Sequence, residues 1–203
     1  MNQVTTDTTA RFDPLVVENF FDARACAELT EELRAAAGAA ATVYGGRVAS
    51  GAVEERIRRA ERLSPSRETA EFVRRRLLGH RAELAAHFRI ELSDCEESQF
   101  LRYRVGDFFV AHQDGNTGLL RLERGQARRV SIVIPLSRQR DAPAPGVYCG
   151  GSLVFSGRLV GPRGVELPPL REPGALVAFR SETTHEVTPV THGERYSIVG
   201  WFA

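Results

Sequence analysis

Apolar positions recur at two different spacings along the chain, and the change-over falls near residue 95. In residues 22–37, Cys26, Leu29, Leu33 and Ala36 share one helical stripe, with Asp22 placed to cap the amino end and Gly38 to stop the helix. A second stripe, Ala70, Val73, Leu77, Leu84 and Phe88, predicts one long helix ending near residue 88. Ser64 is its expected cap, Pro65 its first helical residue, and Glu68 supplies an acid in its first turn. Leu15, Val16 and Val17 within residues 12–20 predict an edge strand. The charged residues 53–63 read as a helical or irregular connector, and residues 41–50 as a hairpin or loop turning at Gly45-Gly46.

From Glu96 onward the period becomes two. Gln99, Leu101, Tyr103 and Val105 share a face, as do Val130, Ile132, Ile134 and Leu136, and later Arg195, Ser197, Val199 and Trp201. Further strands are expected over residues 147–155, 175–179 and 184–190. Residues 158–173 form a Gly- and Pro-rich insertion with room for a short hairpin. About eight short strands behind two helices predict a mainly β, α+β chain: a double-stranded β-helix, or jelly-roll barrel, supported by N-terminal helices. Residues 1–203 read as one domain, with a helical support region over 1–94 and the barrel over 95–203.

Composition narrows the function. With 27 basic and 26 acidic residues the net charge is +1, which gives no global electrostatic footprint for nucleic acid. The first twenty residues are polar where a secretory signal would be apolar, and no run reaches membrane-spanning length. Cys26, Cys95 and Cys149 are odd in number and widely spaced, so they read as packing residues in a reducing cytoplasm.

The candidate chemistry lies in the β half. If the run ending in His112-Gln113-Asp114 is a strand, His112 and Asp114 point to the same side. Such triplets are common by chance, so their company decides. His185, beside the apolar run 174–179, offers a third donor; two imidazoles and one carboxylate leave coordination positions open and suit non-haem Fe(II). Ten residues later Arg195 faces inward on a strand, where a cation is costly unless an anion meets it. A dicarboxylate co-substrate would supply that anion. His80, His87 and His192 have no comparable partners and read as structural or exposed.

Residues 99–114, Gly150-Gly151-Ser152-Leu153-Val154-Phe155, residues 173–179, and His185-Glu186-Val187 through Trp201 together resemble the prolyl 4-hydroxylase type of Fe(II)- and 2-oxoglutarate-dependent oxygenases. The resemblance implies Fe(II) held by His112, Asp114 and His185, with 2-oxoglutarate anchored by Arg195 and assisted by Tyr103 and Ser197. Oxygen would be the oxidant, and the resemblance admits ascorbate as a reductant. It also implies hydroxylation of an unactivated C–H bond, with release of succinate and CO2, on a prolyl or other residue of a peptide or protein, or on a free amino acid or related metabolite. Tyr44, Arg47 and Trp201 are the implied substrate contacts. Asp114 stands where related halogenases carry a small residue, so oxygenation rather than chlorination is expected. A nucleic-acid demethylase of the same superfamily is the alternative enzyme. That group usually carries a second arginine six residues after the first, where this chain has Trp201. A non-catalytic jelly-roll binding module is the alternative outside enzymes; nucleic-acid and membrane partners are not expected.

Overall fold

The computed structural model describes residues 12–42, 53–114 and 128–203. Its N-terminal half contains β1 (Leu15–Val17), α1 (Ala23–Ala35), β2 (Gly38–Ala40), β3 (Arg58–Arg59), β4 (Glu61–Leu63), α2 (Arg67–Gly79) and α3 (Arg81–Phe88). The β half begins with β5 (Gln99–Tyr103), β6 (Phe108–His112), β7 (Val130–Pro135), β8 (Arg138–Gln139), β9 (Val147–Gly150) and β10 (Leu153–Gly157). It ends with β11 (Gly161–Glu166), a 3-10 turn at Pro168–Arg171, β12 (Leu176–Arg180), β13 (Thr184–Val187), β14 (Val190–His192) and β15 (Arg195–Phe202).

Seven strands form one sheet in the order β1-β12-β7-β15-β5-β4-β2, and five form a second in the order β11-β10-β13-β6-β3. A small third sheet, β14-β9-β8, contains the parallel pair β8 and β9. Alternation along the central strands of the large sheet creates two cores, one on each face. Ile132 and Ile134 of β7, Leu176 and Ala178 of β12, and Ile198 and Phe202 of β15 pack with Leu29, Leu33, Val73, Leu77, Leu84 and Phe88 from the helices. Val133, Val177, Phe179, Leu101 and Tyr103 turn the other way and meet Leu153, Phe155 and Val187 of the second sheet. Leu33, Leu77 and Leu84 are fully buried, each contributing about 1.5–3 kcal/mol through apolar area removed from water. The helices therefore hold the outer face of the large sheet, and the inner face is left to line the barrel.

Local sequence explains the element ends and several departures from expectation. Asp22 caps α1 by accepting the Ala25 N–H at 2.8 Å, but the chain leaves α1 extended at Ala36, and Gly38 opens β2 instead of stopping the helix. Ser66, not Ser64, caps α2, its hydroxyl accepting the Thr69 N–H at 3.2 Å. The single long helix is in fact two. Gly79, the poorest helix former in the run after proline, ends α2, and His80 breaks the helical dihedrals (φ −97°, ψ 0°). The His80 ring nitrogen Nδ1 lies 3.1 Å from the Arg76 carbonyl, satisfying one of the acceptors freed there. Residues 53–63, expected to connect, instead supply the short strands β3, at the edge of the second sheet, and β4, between β5 and β2; two- and three-residue pairings like these leave too little alternation to read. They account for part of the excess over eight strands among the described residues. His192 ends β14.

Gly174 joins the helical layer to the barrel. Its carbonyl accepts the Phe21 N–H at 3.0 Å, its φ is +93°, and a Cβ there would sit 2.1 Å from the Phe21 carbonyl oxygen. Gly174→Ala is expected to lose at least about 2 kcal/mol of stability, from backbone strain and the forced separation of α1 from β12. Urea denaturation read by circular dichroism measures it; an unchanged midpoint would show that the contact yields freely.

Candidate active site

β13 and β6 lie side by side in the second sheet, with His185 directly opposite His112. Val187 pairs with Phe109, so two steps on β13 are matched by three on β6, and the extra residue is a bulge. The bulge turns Phe109 to the face of His112, where the rings stack at 3.6 Å between centroids and 19° between planes. Strict alternation would have placed Phe109 on the opposite face.

Asp114 follows the end of β6. Its N–H donates to the Ser181 carbonyl at 3.0 Å, which draws the side chain back between the two imidazoles. One Asp114 oxygen lies 3.6 Å from His112 Nε2 and the other 3.6 Å from His185 Nε2. These separations are too long for hydrogen bonds, and the three donor atoms all lie within 4.8 Å of one another, the arrangement a shared cation would need. Both rings are held by their other nitrogen: His112 Nδ1 is 2.8 Å from the Val110 carbonyl and His185 Nδ1 is 3.0 Å from the Thr183 carbonyl. A proton on each Nδ1 leaves both Nε2 lone pairs facing Asp114.

Electrostatics favours the protonation states that a metal requires. Burial alone would raise the Asp114 carboxyl, but His185, His112 and the Trp201 indole hold it far below the ordinary carboxylate range. Burial pushes His185 below the ordinary imidazole value, against the pull of Asp114. An ionised carboxylate beside a neutral imidazole is ready to bind a cation without first releasing a proton.

Ser131, which sequence reasoning missed, donates its hydroxyl to Asp114 Oδ2 at 2.8 Å and lies 2.9 Å from the Ser181 hydroxyl. The signal was present: a polar residue inside the apolar run Val130 to Leu136 needs an interior partner. Ser131→Ala is expected to weaken divalent-metal affinity by about 10- to 100-fold with little change in folding. Isothermal titration with Mn(II) measures this; unchanged affinity would mean that Asp114 is oriented without Ser131.

The large sheet presents a second charged group. Arg195, at the start of β15, pairs with Tyr103 of β5 and is only 4% exposed. Its guanidinium lies 5.2 Å from the centre of the Tyr103 ring and donates to the Ser197 hydroxyl at 2.8 Å, while Nε has no hydrogen-bond partner. No described carboxylate forms an ion pair with it. Tyr148, a second phenol missed from sequence, is also buried here; burial raises its pKa against the lowering effect of the Arg195 charge. Gly151 makes room for this cluster, since a Cβ there would come within 3.2 Å of Arg195 Cδ and 3.3 Å of the Tyr148 ring. A buried cation beside hydroxyl groups and with no anion among the described residues is a carboxylate receptor in its charge and donor set.

Trp201 shares the inward face of β15 with Arg195 and Ser197, six residues further along. Its N–H makes no hydrogen bond but lies near enough to Asp114 to favour the ionised form, and the Arg128 guanidinium covers its ring at 3.7 Å. The structure thus gathers His112, Asp114 and His185, gathers Arg195, Tyr103 and Ser197, and sets Trp201 beside the first group. The expected contacts Tyr44 and Arg47 lie outside the described residues.

Residues 98–203 match the family described as the 2OG-Fe(II) oxygenase superfamily. The chain belongs to that superfamily. A PKHD-type hydroxylase of Bordetella pertussis is 38% identical over 102 residues, covering 50% of this chain and 41% of that protein. A PKHD-type hydroxylase of Shewanella sp. (strain MR-4) is 28% identical over 190 residues, covering 91% of this chain and 75% of the relative. The chain therefore spans less than half the length of some of the curated relatives it matches. Among solved structures, a Pseudomonas putida prolyl-4-hydroxylase superposes with a TM-score of 0.68 at 26% identity, covering 97% of this chain and 95% of the other. A Trichoplax adhaerens prolyl hydroxylase, solved with a hypoxia inducible factor peptide fragment, shares the fold with a TM-score of 0.66 at 17% identity, covering 96% and 84%. The jelly-roll architecture of these oxygenases is thus the architecture of this chain.

Proposed function

We propose that this chain is an Fe(II)- and 2-oxoglutarate-dependent hydroxylase that inserts one oxygen atom from O2 into an unactivated C–H bond, with a prolyl residue of a peptide or protein as the leading substrate. Residues 1–203 act as one catalytic unit. The observation that carries the reading is the pairing of a His-Asp-His donor set with a buried arginine, Arg195, that has no anionic partner among the described residues.

Each group has a separate task. His112 and His185 offer Nε2, and Asp114 offers a carboxylate oxygen that neutralises part of the metal charge. Bound there, Fe(II) supplies the oxygen chemistry that no side chain can perform. Arg195 and the Ser197 hydroxyl take the far carboxylate of 2-oxoglutarate, with Tyr103 packed beneath the guanidinium, and so fix the co-substrate's orientation. Ser131 fixes the Asp114 carboxylate, and the carbonyls of Val110 and Thr183 fix the rings. Trp201 and Phe109 provide apolar walls beside the donors, which helps exclude water from the reacting bond.

The surroundings support this assignment over its alternatives. Among the described residues no helix is long and apolar enough to cross a membrane. Cys26, Cys95 and Cys149 are all buried and unpaired, which supports placement in a reducing cytoplasm. A peptide or small-molecule partner fits better than nucleic acid, because Trp201 occupies the position of the second arginine expected in a demethylase.

The test is anaerobic loading with Fe(II) and 2-oxoglutarate, followed by oxygen and a library of proline-containing peptides. The expected result is succinate formation without peptide, accelerated by those peptides that gain one oxygen atom. A product carrying chloride, or no oxygen-dependent succinate from metal-loaded protein, would refute the assignment.

A further inference from the structure

A second buried guanidinium lies near the metal donors, on the sheet that carries His112 and His185 rather than the sheet that carries Arg195. Arg58, on edge strand β3, is 7% exposed and stands directly across from Phe109 of β6. Its guanidinium lies 4.8 Å from the Phe109 ring centre, and Phe109 in turn stacks on His112, so cation, ring and metal donor form three layers. One terminal nitrogen donates to the Thr42 carbonyl at 3.1 Å, the other reaches Gln99 Oε1 at a marginal 3.4 Å, and Nε has no partner. No described carboxylate pairs with Arg58.

A buried arginine in this condition is poorly compensated. Fully satisfied, its fork would hold an anion through Nε and Nη2 together, and that edge is the one left with an unused donor and a weak amide contact. Gln99 Oε1 occupies the position that one oxygen of an incoming carboxylate would take.

2-Oxoglutarate cannot be this anion while it is held by Arg195. Arg195 is opposite Tyr103, whereas Arg58 meets Gln99, four residues back along β5 and therefore about 13 Å away along the strand. The two carboxyl carbons of a five-carbon diacid lie only ~5 Å apart. Gln99 is paired with Val199, two residues from Trp201 and four from Arg195, so Arg58 reaches the inner face nearer the Trp201 end than the co-substrate anchor.

We propose that Arg58 recognises a carboxylate on the primary substrate, so that the hydroxylase acts on an acid-bearing molecule gripped side-on by Nε and Nη2 after Gln99 swings aside. This inference rests on the proposed function. The acid is the α-carboxylate of a free amino acid or an acidic side chain beside the target residue of a peptide.

The test uses Mn(II)-loaded protein saturated with N-oxalylglycine, a non-reacting 2-oxoglutarate analogue, and reads paramagnetic relaxation of acetate methyl protons. Wild type is expected to give a saturable enhancement. Arg58→Gln should raise the half-saturating acetate concentration at least tenfold and leave N-oxalylglycine affinity within about twofold. Arg58→Lys, which keeps the charge without the fork, should weaken acetate at least threefold and decides the matter if the glutamine variant fails to fold. Acetate saturation that is absent in wild type or unchanged by these substitutions would overturn the inference, as would an equal loss of N-oxalylglycine affinity, which would assign Arg58 to the co-substrate. Wild type that binds neither Mn(II) nor N-oxalylglycine would instead overturn the proposed function, and this inference with it. Competition against acetate by L-proline and by N-acetyl-aspartyl-prolinamide then separates the two sources of the acid.

Discussion

Asp114→Ala is expected to lower Fe(II) or Mn(II) affinity by more than about 100-fold and to eliminate oxygen-dependent succinate formation. The substitution removes the only anionic donor of the cluster, leaving two neutral imidazoles whose Nε2 atoms face an uncompensated cation. Loss of a partner that merely orients a ligand costs about 10- to 100-fold in affinity, so loss of the ligand itself should exceed that range. Ser131→Ala should fall between Asp114→Ala and wild type, because it frees the carboxylate without deleting it. The fold should persist in both variants, since the two apolar cores do not include Asp114. Equilibrium titration with Mn(II), together with thermal melting, checks the ordering. An Asp114→Ala protein that keeps wild-type metal affinity would place the ion elsewhere.

Arg195→Gln is expected to raise the KM for 2-oxoglutarate by roughly 30-fold or more while leaving Mn(II) affinity nearly unchanged. Truncating one partner of a buried, hydrogen-bonded charge pair costs about 2–5 kcal/mol, partly because the remaining charge is left without a counter-ion. Here the effect on the free protein should be small or favourable, since the variant no longer buries a cation without an anion. Tighter folding with weaker co-substrate binding is a combination that a purely structural arginine would not give. Initial rates across 2-oxoglutarate concentrations, measured beside urea unfolding, separate the two roles. A KM within twofold of wild type would remove Arg195 from the co-substrate site.

How much of this was legible before the structure depended on how regular the local backbone is. Period-two alternation brought Tyr103, Arg195, Ser197 and Trp201 to one face, and the strands β5 and β15 are long and unbroken enough to honour it. His112 and Asp114 were legible as a pair by the same rule, although Asp114 lies beyond β6 and owes its direction to its bond with Ser181. Phe109 was hidden because a bulge reverses its side, and a bulge changes register without a distinctive residue to announce it. Ser131 could have been found as a lone hydroxyl in an apolar strand, while Ser181 and Tyr148 depend on pairings distant in sequence. Arg58 lay within a charged stretch that has no readable period, so its burial is purely a tertiary fact. The helical half was legible in its buried stripes and less so in its ends: Gly79 was the available clue to the break between α2 and α3.

The most direct measurement is a crystal structure of the protein grown without oxygen in Mn(II) and 2-oxoglutarate, with the metal located by anomalous scattering. The account predicts one metal bonded by His112 Nε2, an Asp114 oxygen and His185 Nε2, with the far carboxylate of 2-oxoglutarate on Arg195 and Ser197. A metal bound away from these three side chains, or an Arg195 guanidinium occupied by a carboxylate of the protein itself, would contradict it.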